Sequence, residues 1–291
     1  MTYSCIHTHT TFCDGRDDIE TYCQAAWERG FVSIGFSAHA PVGRKAGLVT
    51  DWHLGDARLT EYLDAVRDAR RRWEGRLPVY LGLEVDYIEG RMGPADADYR
   101  ELGLDYLIGS VHYVFPPGGG EPIAVDGSPE EFAADVRSRF TNDGELLAET
   151  YWDTLLAMVN AGGFDVLGHF DLVKKYNEGD RWFKAEGERY RKRAESLIGP
   201  IAESASVVEV NTGGLIRGRT REAYPSPSLL RLLGTRGVPV TITADAHAAS
   251  HLGGFYAEAR EALRNSGYTE TVLFAGRQTG KPVWTKEPLE I

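Results

Sequence analysis

The sequence predicts a single-domain α/β protein whose parallel sheet closes into a TIM-like barrel of seven strand–helix units, a (β/α)7 barrel. Apolar segments of strand length alternate seven times with segments of helical periodicity, which is the pattern of a parallel sheet with crossover helices. The 291 residues contain no linker, internal repeat or low-complexity run that would divide them. Barrels of about this length are a common single-domain architecture, so one domain over 1–291 is expected.

The first half of the chain supplies the first four strands. Apolar residues at three- and four-residue spacing, as at Ile19, Tyr22, Cys23 and Ala26 before Gly30, predict a helix and its end. Unbroken apolar runs predict buried strands. The predicted elements are a strand that opens at residue 4, a helix at 18–29, a strand at 31–41, a helix at 56–73, a strand at 78–87, a short helical piece near 94–102 and a strand at 105–114.

The second half begins with a turn-rich segment at 116–131, which we expect to be a mobile excursion over the barrel mouth. Its last residues, SPEE, form a capping box that starts a helix. The remaining elements are a helix at 144–160, a strand at 164–172, a helix at 182–198, a strand at 207–214, a helix at 226–236, a strand at 238–247, a helix at 253–265 and a tail around 271–285.

Composition and charge exclude several classes of protein. The formal net charge is −11 and basic residues form only small clusters, so no extended basic face for long nucleic acid is expected. No apolar run approaches the ~18 residues of a membrane span, and no signal-peptide pattern opens the chain. We therefore expect a cytoplasmic protein without a membrane partner. Three cysteines, Cys5, Cys13 and Cys23, do not indicate a disulfide framework.

The charge also bears on the substrate. An anionic substrate of an acidic protein must be attracted by a few local cations and by metal, which favours a small phosphate ester over a polymer. The sequence does not disclose the oligomeric state, and a homo-oligomer is compatible with it.

Metal-binding side chains recur at the strand ends. Because side chains alternate along a strand, His7 and His9 share one face, and Asp245 and His247 repeat the same spacing. The carboxyl ends of barrel strands meet at the active-site face, so these groups are expected to converge. Six of the eight histidines lie at such ends: His7, His9, His39, His112, His169 and His247.

The kind and number of metal ions follow from the donors. Imidazole together with carboxylate favours Zn, Fe or Mn. The candidate ligands are the six histidines at strand ends with Asp14, Glu84 and Asp245. These nine exceed what one ion takes, so more than one ion is expected. Glu84 interrupts an apolar strand, where a carboxylate without a cation would be costly, and it is interpreted as a bridging ligand. Asp86 shares its face and is left unassigned.

The loops contain further candidates. Asp14 lies in the turn after the first histidine pair, whereas Asp17 and Asp18 are interpreted as helix N-caps. His53 and His251 are interpreted as surface or substrate-pocket histidines.

Eight motifs spread in order over residues 4 to about 265 resemble the polymerase and histidinol phosphatase (PHP) superfamily, and most closely its phosphatase branch. The resemblance implies a distorted seven-stranded barrel with a trinuclear divalent metal centre. The motifs are HTHTTFCDG (7–15), FSAHAP (36–41), GLEVDYIEG (82–90), IGSVHYV (108–114), VLGHFDLVKKY (166–176), EVNTGG (209–214), YPSP (224–227) and ADAH (244–247).

Carried over position by position, the resemblance implies three metal positions, with Glu84 bridging the first two. The first position has His7, His9, Glu84 and Asp245; the second has Glu84, His112 and His169; the third has Asp14, His39 and His247.

The implied activity is metal-dependent phosphomonoester hydrolysis by a histidinol-phosphatase of histidine biosynthesis, which releases L-histidinol and phosphate from L-histidinol phosphate. Besides Glu84, the catalytic candidates are Asp245 and His247, and which of these two handles the proton stays open. Arg217 and either Lys174 or Lys175 are expected to hold the phosphate, although Arg217 is one of three arginines in GLIRGRTR and a surface role is an alternative.

Three other functions remain open at this point. The first is a PHP-type phosphoesterase that acts on another small ester or on oligonucleotides. The second is a non-catalytic metal-binding protein, against which the complete ligand set argues. The third and most distant is a metal-dependent amidohydrolase, since that barrel family shares the HxH opening.

Overall fold

The computed structural model describes residues 2–289 and contains eleven strands within them. The strands are β1 (Tyr3–Cys5), β2 (Phe31–Phe36), β3 (Val79–Asp86), β4 (Tyr106–Ser110), β5 (Tyr113–Val114), β6 (Ile123–Ala124), β7 (Val166–Leu167), β8 (Val207–Asn211), β9 (Val240–Thr243), β10 (Glu270–Gln278) and β11 (Lys281–Pro288). Seven of them form one sheet in the order β1-β2-β3-β4-β7-β8-β9. All neighbours in it are parallel.

The sheet closes because its last strand returns to its first. The backbone N–H of His9 donates to the carbonyl of Ala246 at 2.9 Å, and the N–H of Ala246 donates to the carbonyl of His7 at 3.0 Å. These contacts lie beyond the regular parts of β1 and β9, so the seam is short and irregular. The predicted single-domain, distorted TIM-like (β/α)7 barrel is confirmed.

Nine α-helices lie within residues 2–289. They are α1 (Ile19–Glu28), α2 (Gly43–Ala46), α3 (Leu59–Arg72), α4 (Pro129–Arg139), α5 (Gly144–Ala161), α6 (Glu188–Ser204), α7 (Gly213–Ile216), α8 (Pro227–Thr235) and α9 (Tyr256–Asn265). Short 3₁₀ helices lie at Asp56–Arg58, Ala97–Glu101, Leu172–Tyr176, Glu178–Asp180 and Ala249–His251. Among residues 2–289, none of the helices combines the length and the apolar character that crossing a membrane demands.

Two helix starts follow the predicted capping chemistry. Asp18 caps α1, its Oδ1 accepting from the N–H of Thr21 at 2.8 Å. Ser128 and Glu131 form the predicted reciprocal capping box at the start of α4. Each satisfies backbone donors that a helix N-terminus otherwise leaves unpaired.

The start of α6 differs from the prediction by six residues. The helix predicted at 182–198 begins at Glu188. The segment before it is a loop whose backbone N–H groups at Trp182 and Phe183 donate to Asn177 Oδ1. The amide of Asn177 therefore replaces helical hydrogen bonds, and Gly187 in extended conformation precedes the first helical turn.

The predicted strand at 164–172 keeps only the two residues of β7. Beyond it Gly168 packs so closely on β4 that a Cβ there would lie 2.5 Å from the hydroxyl of Ser110. The chain then turns, and the N–H of Leu172 donates to the carbonyl of His169. His169 consequently lies on a turn at the mouth of the barrel.

The segment predicted as an excursion over the mouth is partly ordered by a hairpin. The predicted strand at 105–114 divides into β4 and the separate β5, which pairs with β6 in antiparallel register. This hairpin brings 122–128 over one side of the mouth.

The barrel interior is filled at its lower end by Tyr106, whose hydroxyl donates to the carbonyl of Ile6 at 2.6 Å. A Cβ on Gly35 or Gly82 would lie 2.5 Å from atoms of the Tyr106 side chain, so β2 and β3 both need glycine there. The lower end is thus packed with side chains, and open space remains at the mouth.

The predicted tail is a β-hairpin that closes the lower end. In it β10 pairs antiparallel with β11, and Phe274 packs against Tyr106, 5.2 Å between ring centroids. Arg277 donates to the carbonyl of Asp105 at 2.7 Å. The hairpin therefore extends the hydrophobic core at the lower end of the barrel.

Candidate metal centre

All nine predicted metal ligands lie at the carboxyl ends of the barrel strands. Their distribution over the elements follows from the closed parallel sheet, which brings every strand end to the same face. His7 and His9 follow β1, Asp14 lies in the next turn, His39 follows β2, Glu84 belongs to β3, His112 follows β4, His169 follows β7, and Asp245 and His247 follow β9.

Glu84 occupies the centre of this cluster and is fully buried. Its Oε2 lies 3.1 Å from His7 Nε2 and 2.9 Å from His39 Nδ1. Its Oε1 lies 2.8 Å from His169 Nε2 and 3.5 Å from His112 Nε2. One carboxylate therefore faces imidazoles from four other strand ends.

Asp245 lies beside the first histidine pair. Its Oδ1 is 3.3 Å from His9 Nε2 and 3.7 Å from His7 Nε2. The three residues offer donor atoms that lie within 4.8 Å of one another. Their spacing suits a single ion.

A second group combines Glu84 with His112 and His169, whose two Nε2 atoms are 3.2 Å apart. Two neutral imidazoles cannot both donate a proton into that gap and satisfy each other. A cation between the two nitrogens and the carboxylate would use all three lone pairs.

The third group is larger than predicted. Asp14 Oδ2 lies 2.9 Å from His247 Nε2, and Asp14 Oδ1 lies 3.8 Å from His39 Nε2. His9 joins them, with its Nδ1 3.6 Å from Asp14 Oδ1. His9 is thus a member of both the first group and the third.

The donor set fits metal ions because many of its buried atoms lack a hydrogen bond. Such atoms are rare in folded proteins, since each unpaired buried polar group costs free energy. Cations would satisfy those that face the three groups, which leaves out His169 Nδ1 because His169 directs its Nε2 to the second group. Six atoms of the cluster make no hydrogen bond to any residue within 2–289: His7 Nε2, His9 Nε2, Asp14 Oδ1, His39 Nδ1, Glu84 Oε2 and His169 Nδ1.

The charges of the cluster are strongly coupled. Burial would raise the pKa of the Glu84 carboxyl, but the surrounding imidazoles, His7 and His39 foremost, hold that pKa well below its usual range. Burial, reinforced by the charges of His247 and His39, lowers the pKa of His9 to about 3. His9 is therefore a neutral imidazole at pH 7, the form that binds metal.

His112 shows the opposite behaviour. Burial would lower its pKa, but the carboxylates of Asp86 and Asp126 raise it to about 10. A proton therefore neutralises this part of the cluster in the ion-free chain. An ion bound there would displace that proton.

Glu209 has a role that the sequence does not reveal, since it appears there only as the first residue of the EVNTGG motif. Its Oε2 accepts from the N–H of His169 at 2.8 Å, while Oε1 lies 2.5 Å from His7 Nδ1. It thus fixes the ring of His7 with Nε2 towards the centre. The clue in the sequence was an acidic residue inside an otherwise apolar strand.

Asp86 and His53 also belong to the surroundings of the cluster. Asp86, left unassigned from sequence, is buried and contacts both His53 and His112. His53 is buried rather than on the surface. No sequence pattern connects a loop histidine with a strand carboxylate 33 residues away.

The three predicted phosphate-binding residues differ in whether they reach the cavity above the cluster. Arg217 Nη2 donates to Asp245 Oδ2 at 2.9 Å, and Arg217 and Lys175 both line the cavity above the cluster. Lys174 does not reach that cavity. Its Nζ pairs with Asp171 Oδ2 at 2.9 Å and with Glu222.

The cavity has a volume of about 720 Å³. Asp14, His39, Glu84, His112, His169 and Asp245 reach it from below. Such a volume holds a small molecule and not a folded polymer.

Comparison with known proteins gives concordant results. The PHP domain family model matches residues 6–213. A protein of Deinococcus radiodurans named "Probable histidinol-phosphatase" is 30% identical over 273 residues, 94% of this chain and 96% of that protein.

Two solved structures share the fold at 20% identity. One, from Listeria monocytogenes, has a TM-score of 0.77 and covers 88% of this chain and 99% of its own. The other is histidinol phosphate phosphatase from Lactococcus lactis in complex with Zn, L-histidinol and phosphate; its TM-score is 0.65, with 97% of this chain and 100% of that chain covered. Most of this chain is thus matched by the family model, and nearly all of it by a relative at 30% identity, so the chain belongs to the PHP domain family.

Proposed function

We propose that this protein is a metal-dependent phosphomonoesterase that hydrolyses L-histidinol phosphate to L-histidinol and phosphate. The observation that carries the proposal is the convergence of nine imidazole and carboxylate side chains, several with unpaired buried donor atoms, under a small cavity. The relationship to a histidinol-phosphatase over nearly the whole length supports the choice of substrate.

The proposed centre holds three divalent ions, with Zn, Fe and Mn as candidates because the donors mix imidazole and carboxylate. Glu84 would bridge the first two ions. The proposed ligands are His7, His9, Glu84 and Asp245 for the first, Glu84, His112 and His169 for the second, and Asp14, His39 and His247 for the third.

Bound ions would supply Lewis acidity towards the phosphate and lower the pKa of water. The residues of the chain would then position the reactants. Arg217, whose Nη1 also lies 3.0 Å from His247 Nδ1, would hold phosphate oxygens and orient Asp245. Either Asp245 or His247 would pass the proton. Lys175 would contribute a second positive charge at the cavity wall.

The outer part of the cavity supports a cationic alcohol as the leaving group. Asp51, Asp126, Glu131 and Asp135 line it, and they would attract an ammonium group while opposing a second anionic group. The indole of Trp52 and the ring of Tyr113, stacked at 5.6 Å, form an apolar wall beside them. An imidazole ring fits against such a surface.

A panel of phosphate esters tests the proposal. Protein stripped by a chelator and reloaded with Mn²⁺ or Zn²⁺ is assayed for phosphate release from L-histidinol phosphate, glycerol phosphate, p-nitrophenyl phosphate and a short oligonucleotide. We expect kcat/KM to be highest for L-histidinol phosphate and activity to require the ion. Activity without metal, or a preference for the oligonucleotide, would contradict the proposal.

A further inference from the structure

A chain of buried hydrogen bonds lies behind the second metal position and has no part in the function proposed above. Thr50 Oγ1 is 2.8 Å from His53 Nδ1, and His53 Nε2 is 2.8 Å from Asp86 Oδ2. The other oxygen, Asp86 Oδ1, is 2.9 Å from His112 Nδ1 and also accepts from the backbone N–H of His112. The chain therefore runs from a loop to a proposed ligand.

Donors and acceptors along this chain have one consistent assignment. A carboxylate only accepts, so both imidazoles must direct an N–H towards Asp86. His53 then carries its proton on Nε2, and its Nδ1 accepts from the hydroxyl of Thr50. His112 carries a proton on Nδ1, and its Nε2 is directed at the gap shared with His169. The lone pair of that Nε2 becomes available when an ion displaces the second proton of His112.

Both nitrogens of His53 are occupied, so it has no lone pair left for a cation. Asp86 keeps lone pairs and lies close enough to His39 and His112 to share an ion with them, but its two oxygens contact His53 and the Nδ1 of His112, the nitrogen that faces away from His169. The two residues therefore fix the position of the His112 ring.

The same loop forms a wall of the cavity. The ring of Trp52 lies 3.8 Å from that of His53 and 4.8 Å, edge-on, from that of His39. The N–H of Leu54 donates to the carbonyl of His39 at 3.1 Å. The loop at 50–54 is thus fastened to two proposed ligands, through Leu54 to His39 and through His53 and Asp86 to His112.

We infer that His53 and Asp86 are positioning residues that orient His112 towards the second metal position and couple that position to the cavity wall at 50–54. The inference rests on the proposed metal centre. In addition, the loop at 50–54 and the second ion depend on each other. Loss of the hydrogen bonds through His53 and Asp86 makes the loop more mobile, and binding of the ion makes it less mobile.

Three variants test the coupling. His53→Ala removes both hydrogen bonds, whereas His53→Gln keeps a side-chain N–H that can reach Asp86. Thr50→Val is isosteric at a partly exposed position, so it removes the first hydroxyl without a risk to folding. Asp165→Asn is the matched control, because Asp165 also accepts hydrogen bonds but does so at the opposite end of the barrel.

Two readouts other than turnover are used. The first is the Mn²⁺ or Zn²⁺ affinity of each site, measured by competition with a chelator. We expect His53→Ala to weaken one ion by up to about 10-fold and to leave the other ions unchanged. This is the lower end of the cost of losing a direct partner of a metal ligand, because His53 reaches His112 only through Asp86. We expect a smaller loss for Thr50→Val, recovery in His53→Gln and no change in Asp165→Asn.

The second readout is amide hydrogen exchange over 47–55. In the wild type, addition of Mn²⁺ should slow exchange there, and in His53→Ala this slowing should be lost while α5 exchanges as before. Wild-type affinity for every ion together with wild-type exchange in His53→Ala and Thr50→Val would overturn the inference and leave the proposed function intact. A wild-type chain that binds no ion would overturn both.

Discussion

Replacement of Glu84 by glutamine removes one negative charge from the centre of the cluster and keeps the size of the side chain. The amide can still contact Ser110 Oγ, which lies 2.6 Å from Oε1. The buried carboxylate faces five imidazole nitrogens at 2.8–3.5 Å, three around Oε2 and two around Oε1. The substitution therefore tests charge rather than packing.

The magnitude follows from those contacts. Loss of a partner behind a metal ligand costs about 10- to 100-fold in affinity, and Glu84 is the proposed direct ligand of two ions. We expect a loss of at least about 100-fold in affinity at both positions. The rate should fall at least ~10³-fold, about 4 kcal/mol of transition-state stabilisation.

The assay combines the metal content of each chain, by plasma mass spectrometry, with kcat/KM for L-histidinol phosphate. Asp171→Asn is the control, because Asp171 is an equally buried carboxylate that accepts from the N–H of Ser226 and pairs with Lys174, away from the proposed ligands. It should retain its metal. Near-normal metal content and turnover in Glu84→Gln would refute the bridging assignment.

Four further outcomes are expected, each with its own measurement. In steady-state kinetics Lys175→Ala raises KM about tenfold. Lys174→Ala leaves KM unchanged and lowers the melting temperature, because its Nζ is held by the buried Asp171 and by Glu222; equal KM effects of the two variants would contradict this. Arg217→Lys lowers kcat/KM about 10- to 100-fold by losing the planar fork, and an unchanged value would remove it from the site. Metal affinity in Mn²⁺ titrations rises between about pH 6 and 8, because the ion must displace protons such as that of His112, whose pKa is raised to about 10. An affinity that does not change with pH would contradict metal binding by His112. Phe274→Ala costs about 3–5 kcal/mol in urea unfolding while metal content is kept, and loss of metal there would refute the purely structural role of the hairpin.

Much of the barrel could be predicted because its strands are apolar runs with polar residues at their carboxyl ends. This pattern placed all nine candidate ligands near the strand ends, and closure of the sheet brings them together. The boundaries were less predictable where side chains replace backbone hydrogen bonds. The side chain of Asn177 accepts from the backbone of residues 182 and 183 and holds them as a loop, so the helix predicted from 182 begins later.

Contacts between distant segments could not be predicted from one sequence. His53 reaches Asp86 only because the loop folds back over β3. Glu209 reaches His7 only because closure of the sheet leaves a single strand, β9, between β8 and β1. The C-terminal hairpin is another such case, since its Phe274 packs on Tyr106 of β4, which is distant in the sequence.

The central claim is that imidazoles and carboxylates from six strand ends enclose a cage of divalent cations. Anomalous diffraction at the Zn, Fe and Mn absorption edges tests it most directly. Three anomalous peaks are expected within the cluster, with Glu84 between two of them. A map of metal-loaded crystals without peaks at Glu84, or with peaks only elsewhere on the molecule, would contradict it.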